Sequence, residues 1–287
     1  DLDDLPALVG ATERVLVLSD PSVGTSSDVV DVSMMEKMRG REGEVVLVNG
    51  TVSPVIAARA GTLEHWRIVN ASASRYYRLA LEGHDLAVVA TDGGRLATPH
   101  EVSELLLAPG ERAELLVAPT SPGRHRLQAL PYDRGALGMG MSGRLGATSR
   151  VAVATMAVTG DAPPAPLPAT LASPESLALP VPTARRELAL AMGMGGGMAG
   201  SMGGGGMARS FTIDGKTFDP ARTDITSRLG RVEEWTITNS SSMDHPFHLH
   251  VWPFQVVARS DGGSIVPGWK DTVNIPAGES VTLRVPL

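Results

Sequence analysis

Three of the seven histidines fall within six residues, in His245-Pro246-Phe247-His248-Leu249-His250 near the end of the sequence. Imidazole is a common ligand of transition metals, so metal chemistry is the first reading of this run. Along an extended strand successive side chains alternate faces. That puts His248 and His250 on one face about 7 Å apart, close enough to serve one metal or two adjacent ones. His245 stands an odd number of positions from both and faces the other side, roughly 10 Å from His248 along the chain. The spacing predicts two metal sites on opposite faces of one strand, joined by a short covalent path. The competing reading is a run of buried histidines that satisfy one another by hydrogen bonding.

Such a strand needs a sheet to hold it. Short Val- and Leu-rich runs recur between Gly, Pro, Asn and Asp punctuation: Val15 to Leu18, Glu44 to Val48, Trp66 to Val69, Leu105 to Leu107, Leu115 to Val117 and Val151 to Val158. Apart from one helical turn expected around Met34 to Met38, helical periodicity is absent, and the pattern is that of a β-sandwich. A Pro- and Ala-rich segment, Asp161 to Ala184, carries seven prolines and reads as an extended linker.

Across that linker the sequence repeats itself. His65-Trp66-Arg67-Ile68-Val69-Asn70-Ala71-Ser72 matches Glu234-Trp235-Thr236-Ile237-Thr238-Asn239-Ser240-Ser241 at an offset of 169 between the asparagines. Val88-Val89-Ala90 with Asp92-Gly93-Gly94 matches Val256-Val257-Ala258 with Asp261-Gly262-Gly263, and Pro109-Gly110-Glu111 matches Pro276-Ala277-Gly278-Glu279. Collinear matches imply two copies of one β-fold. Shifted back by the same offset of 169, the histidine run lands on Tyr76 to Leu81, so copy one keeps the strand without ligands. Copy one continues past its Gly-Glu turn to about Gly160, whereas the counterpart of everything after Ala118 would lie beyond Leu287. The expectation is a fragment truncated at its C-terminus, with a ligand-free domain over 1–160, a linker over 161–184 and a metal-binding domain over 185–287.

Length fits two domains, since one typically takes about 100 to 200 residues. A formal net charge of -6 offers no basic footprint for nucleic acid or anionic membrane, and neither is an expected partner. No apolar run approaches the roughly 18 residues that would cross a bilayer, and no secretory leader opens the chain at Asp1. There is no cysteine, which rules out disulfides, thiolate nucleophiles and Cys-ligated metal built from this chain alone.

The histidine run resembles the third-domain copper motif of the multicopper oxidases, the laccase-like enzymes built from three cupredoxin domains. Trp269-Lys270-Asp271-Thr272-Val273 and Pro276 to Glu279 are similar to the segments that follow it there. Glu101 to Arg112 and Leu130-Pro131-Tyr132-Asp133-Arg134-Gly135 are similar to the second domain of bacterial laccases. The resemblance implies an all-β fold of two tandem cupredoxin-like Greek-key β-sandwich domains, the second incomplete. It implies His245 as a ligand of a type 1 copper, His248 of the type 2 copper and His250 of the type 3 pair, four copper ions in the complete enzyme. It further implies one-electron oxidation of phenolic substrates or Cu(I), four-electron reduction of dioxygen to water, and a periplasmic or secreted location. The family's His-X-His pairs and its last-strand His-Cys-His motif are absent here. A type 1 site takes a cysteine thiolate with two imidazoles, so the fragment alone is expected to be inactive.

Ala191 to Arg209 is a Met-Gly tract holding Met192, Met194, Met198, Met202 and Met207. Thioether sulfur suits Cu(I), and copper-efflux oxidases of the family carry Met-rich inserts at a similar place; the alternative is a Gly-rich connection with no ligand role. Gly195 to Gly200 matches G-x-G-x-x-G by composition only, with no βαβ context. His65, His84, His100 and His125 stand singly in the sequence and read as satisfied histidines. Asp244 and Asp271 are candidates to orient an imidazole from the second shell of ligands. Two further functions compete: a copper-free cupredoxin-fold scaffold or interaction protein, and a nitrite reductase-like protein sharing ligands between chains.

Overall fold

A computed structural model describes residues 8, 10–23, 33, 36, 39–135, 146, 149–173, 177–194 and 209–287. The described chain is nearly all strand. Copy one runs β1 (Thr12–Ser19), β2 (Leu47–Val48), β3 (Thr51–Val52), β4 (Val55–Arg59), β5 (Glu64–Asn70), β6 (Tyr77–Leu81), β7 (Leu86–Thr91), β8 (Gly94–Val102), β9 (Leu105–Leu107), β10 (Arg112–Val117), β11 (Gly123–Leu130) and β12 (Val151–Thr159). Copy two runs β13 (Ala184–Met194), β14 (Arg209–Ile213), β15 (Val232–Asn239), β16 (His245–His248), β17 (Gln255–Arg259), β18 (Thr272–Ile275) and β19 (Ser280–Pro286).

The repeat in the sequence is a repeat in the sheets. The seven-stranded sheet is ordered β3-β2-β1-β5-β10-β7-β8, and the five-stranded sheet of copy two is β14-β13-β15-β19-β17. Both contain the same central run, with a parallel pair (Thr12 opposite Glu64, Ala184 opposite Glu233) followed by antiparallel pairs. Trp66 lies opposite Leu115 and Trp235 opposite Leu283, the same register in both copies. The second sheet of copy one is β4-β12-β11-β6-β9, while copy two has only β16-β18. Counterparts of β4, β11 and β12 are therefore missing from copy two among the described residues. Pro246 is accommodated because β16 is an edge strand there, where a missing ladder N–H is tolerated.

Two apolar clusters result. One gathers Trp66, Tyr77, Leu79, Leu115 and Leu127; the other gathers Trp235, Ile237, Phe254, Ile275 and Leu283. The Pro-rich segment is extended, and Leu171 within it is buried against the first cluster, its N–H donating to Ala97 O at 2.8 Å. Of the expected run Glu44 to Val48 only Leu47–Val48 pairs as strand, and the short partner of that pair, Thr51–Val52, was not anticipated. Most of the helical turn expected around Met34 to Met38 lies outside the described residues.

Candidate metal centre

The turn that delivers the histidine strand is built by the repeated asparagine. Asn239 is fully buried; its Nδ2 donates to Met243 O (2.8 Å) and Ile275 O (3.0 Å), and its Oδ1 accepts from Ser241 N (3.0 Å). Asn70 does the same work in copy one, donating to Arg75 O and Leu107 O and accepting from Ser72 N. In each copy this pins the following serine beneath the first turn of the next strand. Ser72 Oγ meets Tyr77 Oη at 2.9 Å, and Ser241 Oγ meets His245 Nε2 at 2.8 Å.

Ser241 has one proton and two acceptors close by, Asn239 Oδ1 (2.7 Å) and Met243 O (2.9 Å). With that proton spent on them, its lone pair must take the proton on His245 Nε2, which leaves His245 Nδ1 as the free nitrogen base. Burial depresses the His245 pKa below the usual imidazole value, against the opposing pull of Asp244. The ring meets Phe211 edge-on at 5.7 Å and borders a groove with Ile213, Ile225 and Phe247.

His248 is fixed from the other copy-two strand. Its Nδ1 donates to Asp271 O (2.9 Å) with Thr272 Oγ1 at 3.0 Å, which leaves Nε2 free. His250 lies beyond the end of β16, so strict strand alternation does not reach it, yet its ring stands 4.8 Å from that of His248. The two rings therefore stand side by side, the pairing the spacing leads one to expect. The chain turns immediately afterwards: Trp252 N donates to His250 O at 2.9 Å, and Val251 has φ +72°. A β-branched residue at positive φ inside a γ-turn is strained. His248 and His250 share a concave surface with Gly93, Leu249, Val251, Pro253 and Asp271. His245 does not border it.

Asp271 orients an imidazole through its backbone carbonyl, with its Oδ1 3.4 Å from His248 Nδ1. Asp244 does not: its Oδ2 accepts from Tyr132 Oη (2.6 Å) and Asn274 Nδ2 (2.8 Å), and its Oδ1 from Ala277 N (3.1 Å). The acceptor sequence reasoning missed for His245 is Ser241; its legible signal was the Asn-Ser-Ser turn repeated from copy one. Met192 and Met194 belong to β13, while Met198, Met202 and Met207 lie outside the described residues. Of the isolated histidines, His65 is satisfied by Glu114 at 2.8 Å. His84 and His125 are not single: their rings meet edge to face at 4.5 Å, both Nδ1 atoms facing Glu82 O. Among the described residues no three His, Cys, Asp or Glu side chains converge to hold one metal ion.

The donor chemistry nonetheless suits copper. Each of His245 and His248 has one ring nitrogen held by the protein and the other left as a lone-pair donor, the arrangement metal-ligating imidazoles adopt.

A family model described as Multicopper oxidase matches residues 14–141, and a second of the same description matches 198–287. The chain belongs to the multicopper oxidase family. A solved multicopper oxidase from Campylobacter jejuni, described as a metallo-oxidase, superposes with TM-score 0.82 at 29% identity over 98% of this chain and 59% of that one. Multicopper oxidase mco of Staphylococcus haemolyticus is 24% identical over 99% of this chain and 55% of its own length. Cell division protein FtsP of Salmonella typhimurium is 32% identical over 82% of this chain and 47% of its own. The chain thus spans about half the length of the curated relatives it matches. The fold is that of cupredoxin-type multicopper oxidases, and copper is the cofactor the family implies.

Proposed function

We propose that this chain is the second and part of the third cupredoxin domain of a longer laccase-like oxidase, which oxidises phenolic compounds or Cu(I) and reduces dioxygen to water. In this reading His245 serves the type 1 copper, His248 the type 2 copper and His250 one of the type 3 pair. The observation that carries it is the presentation of the imidazoles: Ser241 holds the proton of His245 on Nε2, Asp271 O holds that of His248 on Nδ1, and the free nitrogens are left for metal. Copper bound there supplies reversible one-electron chemistry.

The unfilled side of β16 supports the longer polypeptide. In copy one β6 lies between β9 and β11, with Leu81 opposite Leu127 and Arg78 opposite Leu130. β16 has β18 on one side and no strand on the other among the described residues. A further strand seated there is the natural carrier of the cysteine thiolate that a type 1 centre takes. The remaining site residues of this chain act by orientation: they fix tautomers and hold rings.

The test is copper content, blue absorbance and EPR of the full-length polypeptide. His245→Ala should abolish the blue band and spare the type 2 signal, and His248→Ala should do the reverse. A full-length protein that binds no copper would sink this reading. It would leave a copper-free scaffold or interaction protein, and a relative named Cell division protein FtsP keeps a role other than oxidation in view.

A further inference from the structure

An ion network joins the ligand-free copy to the histidine strand. Arg112, at the start of β10, forms a two-pronged bond to Asp271: Nη1 to Oδ1 and Nη2 to Oδ2, both 2.7 Å. Thr272 Oγ1 donates to the same Oδ1 at 2.8 Å. Because its only proton goes there, the Thr272 lone pair faces His248 Nδ1 at 3.0 Å, beside the Asp271 carbonyl at 2.9 Å. A continuous chain therefore runs from the guanidinium through a carboxylate and a hydroxyl to the imidazole.

The guanidinium is itself anchored. Asp92, wholly buried at its side chain, accepts from Arg112 N at 2.7 Å, and its backbone carbonyl accepts from Arg112 Nη2 at 2.9 Å. Lys270 bridges Asp92 and Glu111, 3.2 Å from each. Burial alone would lower the Lys270 pKa, but the two carboxylates hold it above its usual value. The common fold does not force this arrangement. Shifted by the repeat offset, Asp271 falls on Val102 or Ser103, and Arg112 on Ser280 or Val281. The pair exists only across the contact between copies.

We infer that Arg112 is a positioning residue for His248, so that the copy with no metal ligands of its own holds the type 2 ligand of its neighbour in orientation. This rests on the proposed role of His248 as a copper ligand. Without the guanidinium, the Asp271 carboxylate loses the partner that fixes its rotamer and Thr272 loses its oriented acceptor, so the His248 ring keeps the Asp271 carbonyl but loses the fixed hydroxyl beside it and is held less firmly. Groups bonded directly to a metal-ligating imidazole typically change metal affinity about 10- to 100-fold, and Arg112, acting through the Asp271 carboxylate and the Thr272 hydroxyl, should fall at or below the lower end of that range.

The test uses the copper-loaded full-length protein with Arg112→Gln, Arg112→Lys and, as a control, Arg78→Gln, which removes an exposed arginine paired with Glu104 outside this network. Copper content and the type 2 EPR hyperfine pattern are read beside the blue band of the type 1 centre. Arg112→Gln should weaken type 2 copper retention by up to about tenfold against a competing chelator and change its EPR pattern, with the blue band unaltered. Arg112→Lys keeps the charge but not the two-pronged geometry, so it should give an intermediate spectrum in a folded protein. An unchanged type 2 spectrum in both variants overturns the inference. Parallel loss of both copper centres also overturns it, because Arg112 would then hold the interface as a whole rather than one ligand. If the unsubstituted protein shows copper but His248→Ala leaves the type 2 signal intact, it is the assignment of His248 that fails.

Discussion

Replacing Ser241 with alanine removes one hydroxyl whose bonds can be followed individually. It donates to Asn239 Oδ1 or Met243 O and accepts from His245 Nε2 at 2.8 Å. Neither of its two acceptors is orphaned by the loss. Asn239 Oδ1 still accepts from residue 241's N–H at 3.0 Å, and Met243 O still accepts from Asn239 Nδ2 at 2.8 Å. Two donors are stripped: the His245 N–H, on a half-buried ring, and the Met243 N–H, whose 3.4 Å contact with the hydroxyl is already long and weak. The cost is therefore that of two net hydrogen bonds with little added desolvation, about 2 kcal/mol in all. Urea unfolding of the chain should show this as a lowered midpoint at constant slope. Nitrogen NMR of the imidazole should show His245 shifting from a single Nε2–H tautomer to a mixture. A stability change below roughly 0.5 kcal/mol, or an unaltered tautomer, would refute the claim that this hydroxyl selects the free nitrogen.

Other consequences follow from the same geometry. Burial would raise the Glu114 pKa, but His65 and Arg67 hold it below the usual 4.5, so this carboxylate stabilises the fold above that pH and the contribution is lost as acid protonates it. Glu114→Gln should flatten the stability-pH profile between about pH 5 and 3, as followed by thermal unfolding. Val251→Gly relieves a positive φ of +72° and should stabilise the turn by roughly 1 kcal/mol less the entropy glycine adds to the unfolded chain, seen as slower amide exchange at Trp252, the N–H that closes the turn. Phe254 is fully buried at the centre of the copy-two cluster, and Phe254→Ala should cost about 3 to 5 kcal/mol, lowering the unfolding midpoint.

How far each part of the site was legible depends on the range of the interaction that makes it. The strand faces of His245 and His248 follow from a local two-residue period, which is written in the sequence whatever the rest of the chain does. His250 broke that rule because the strand ends before it and a strained γ-turn at Val251 takes over, a feature that Val gives no compositional reason to expect. The His84–His125 pair was invisible for a related cause. His84 sits in the turn after β6 and His125 within β11, so the pairing of those two strands brings them together, and separation along the sequence hides contact in space.

The all-β class, the doubling of one fold and the copy that carries the clustered imidazoles were legible in the sequence alone. Each of these rests on periodicity or self-similarity, and both are properties of a linear string. The tertiary structure alone decided which nitrogen of each imidazole is free and which copy holds which ligand in place. Those outcomes depend on single protons shared by Ser241 and Thr272 and on an Arg112–Asp271 contact spanning 159 residues. Bonds of that kind have a reach of about 3 Å and a strict angular preference, so they exist only once the register of every intervening strand is set.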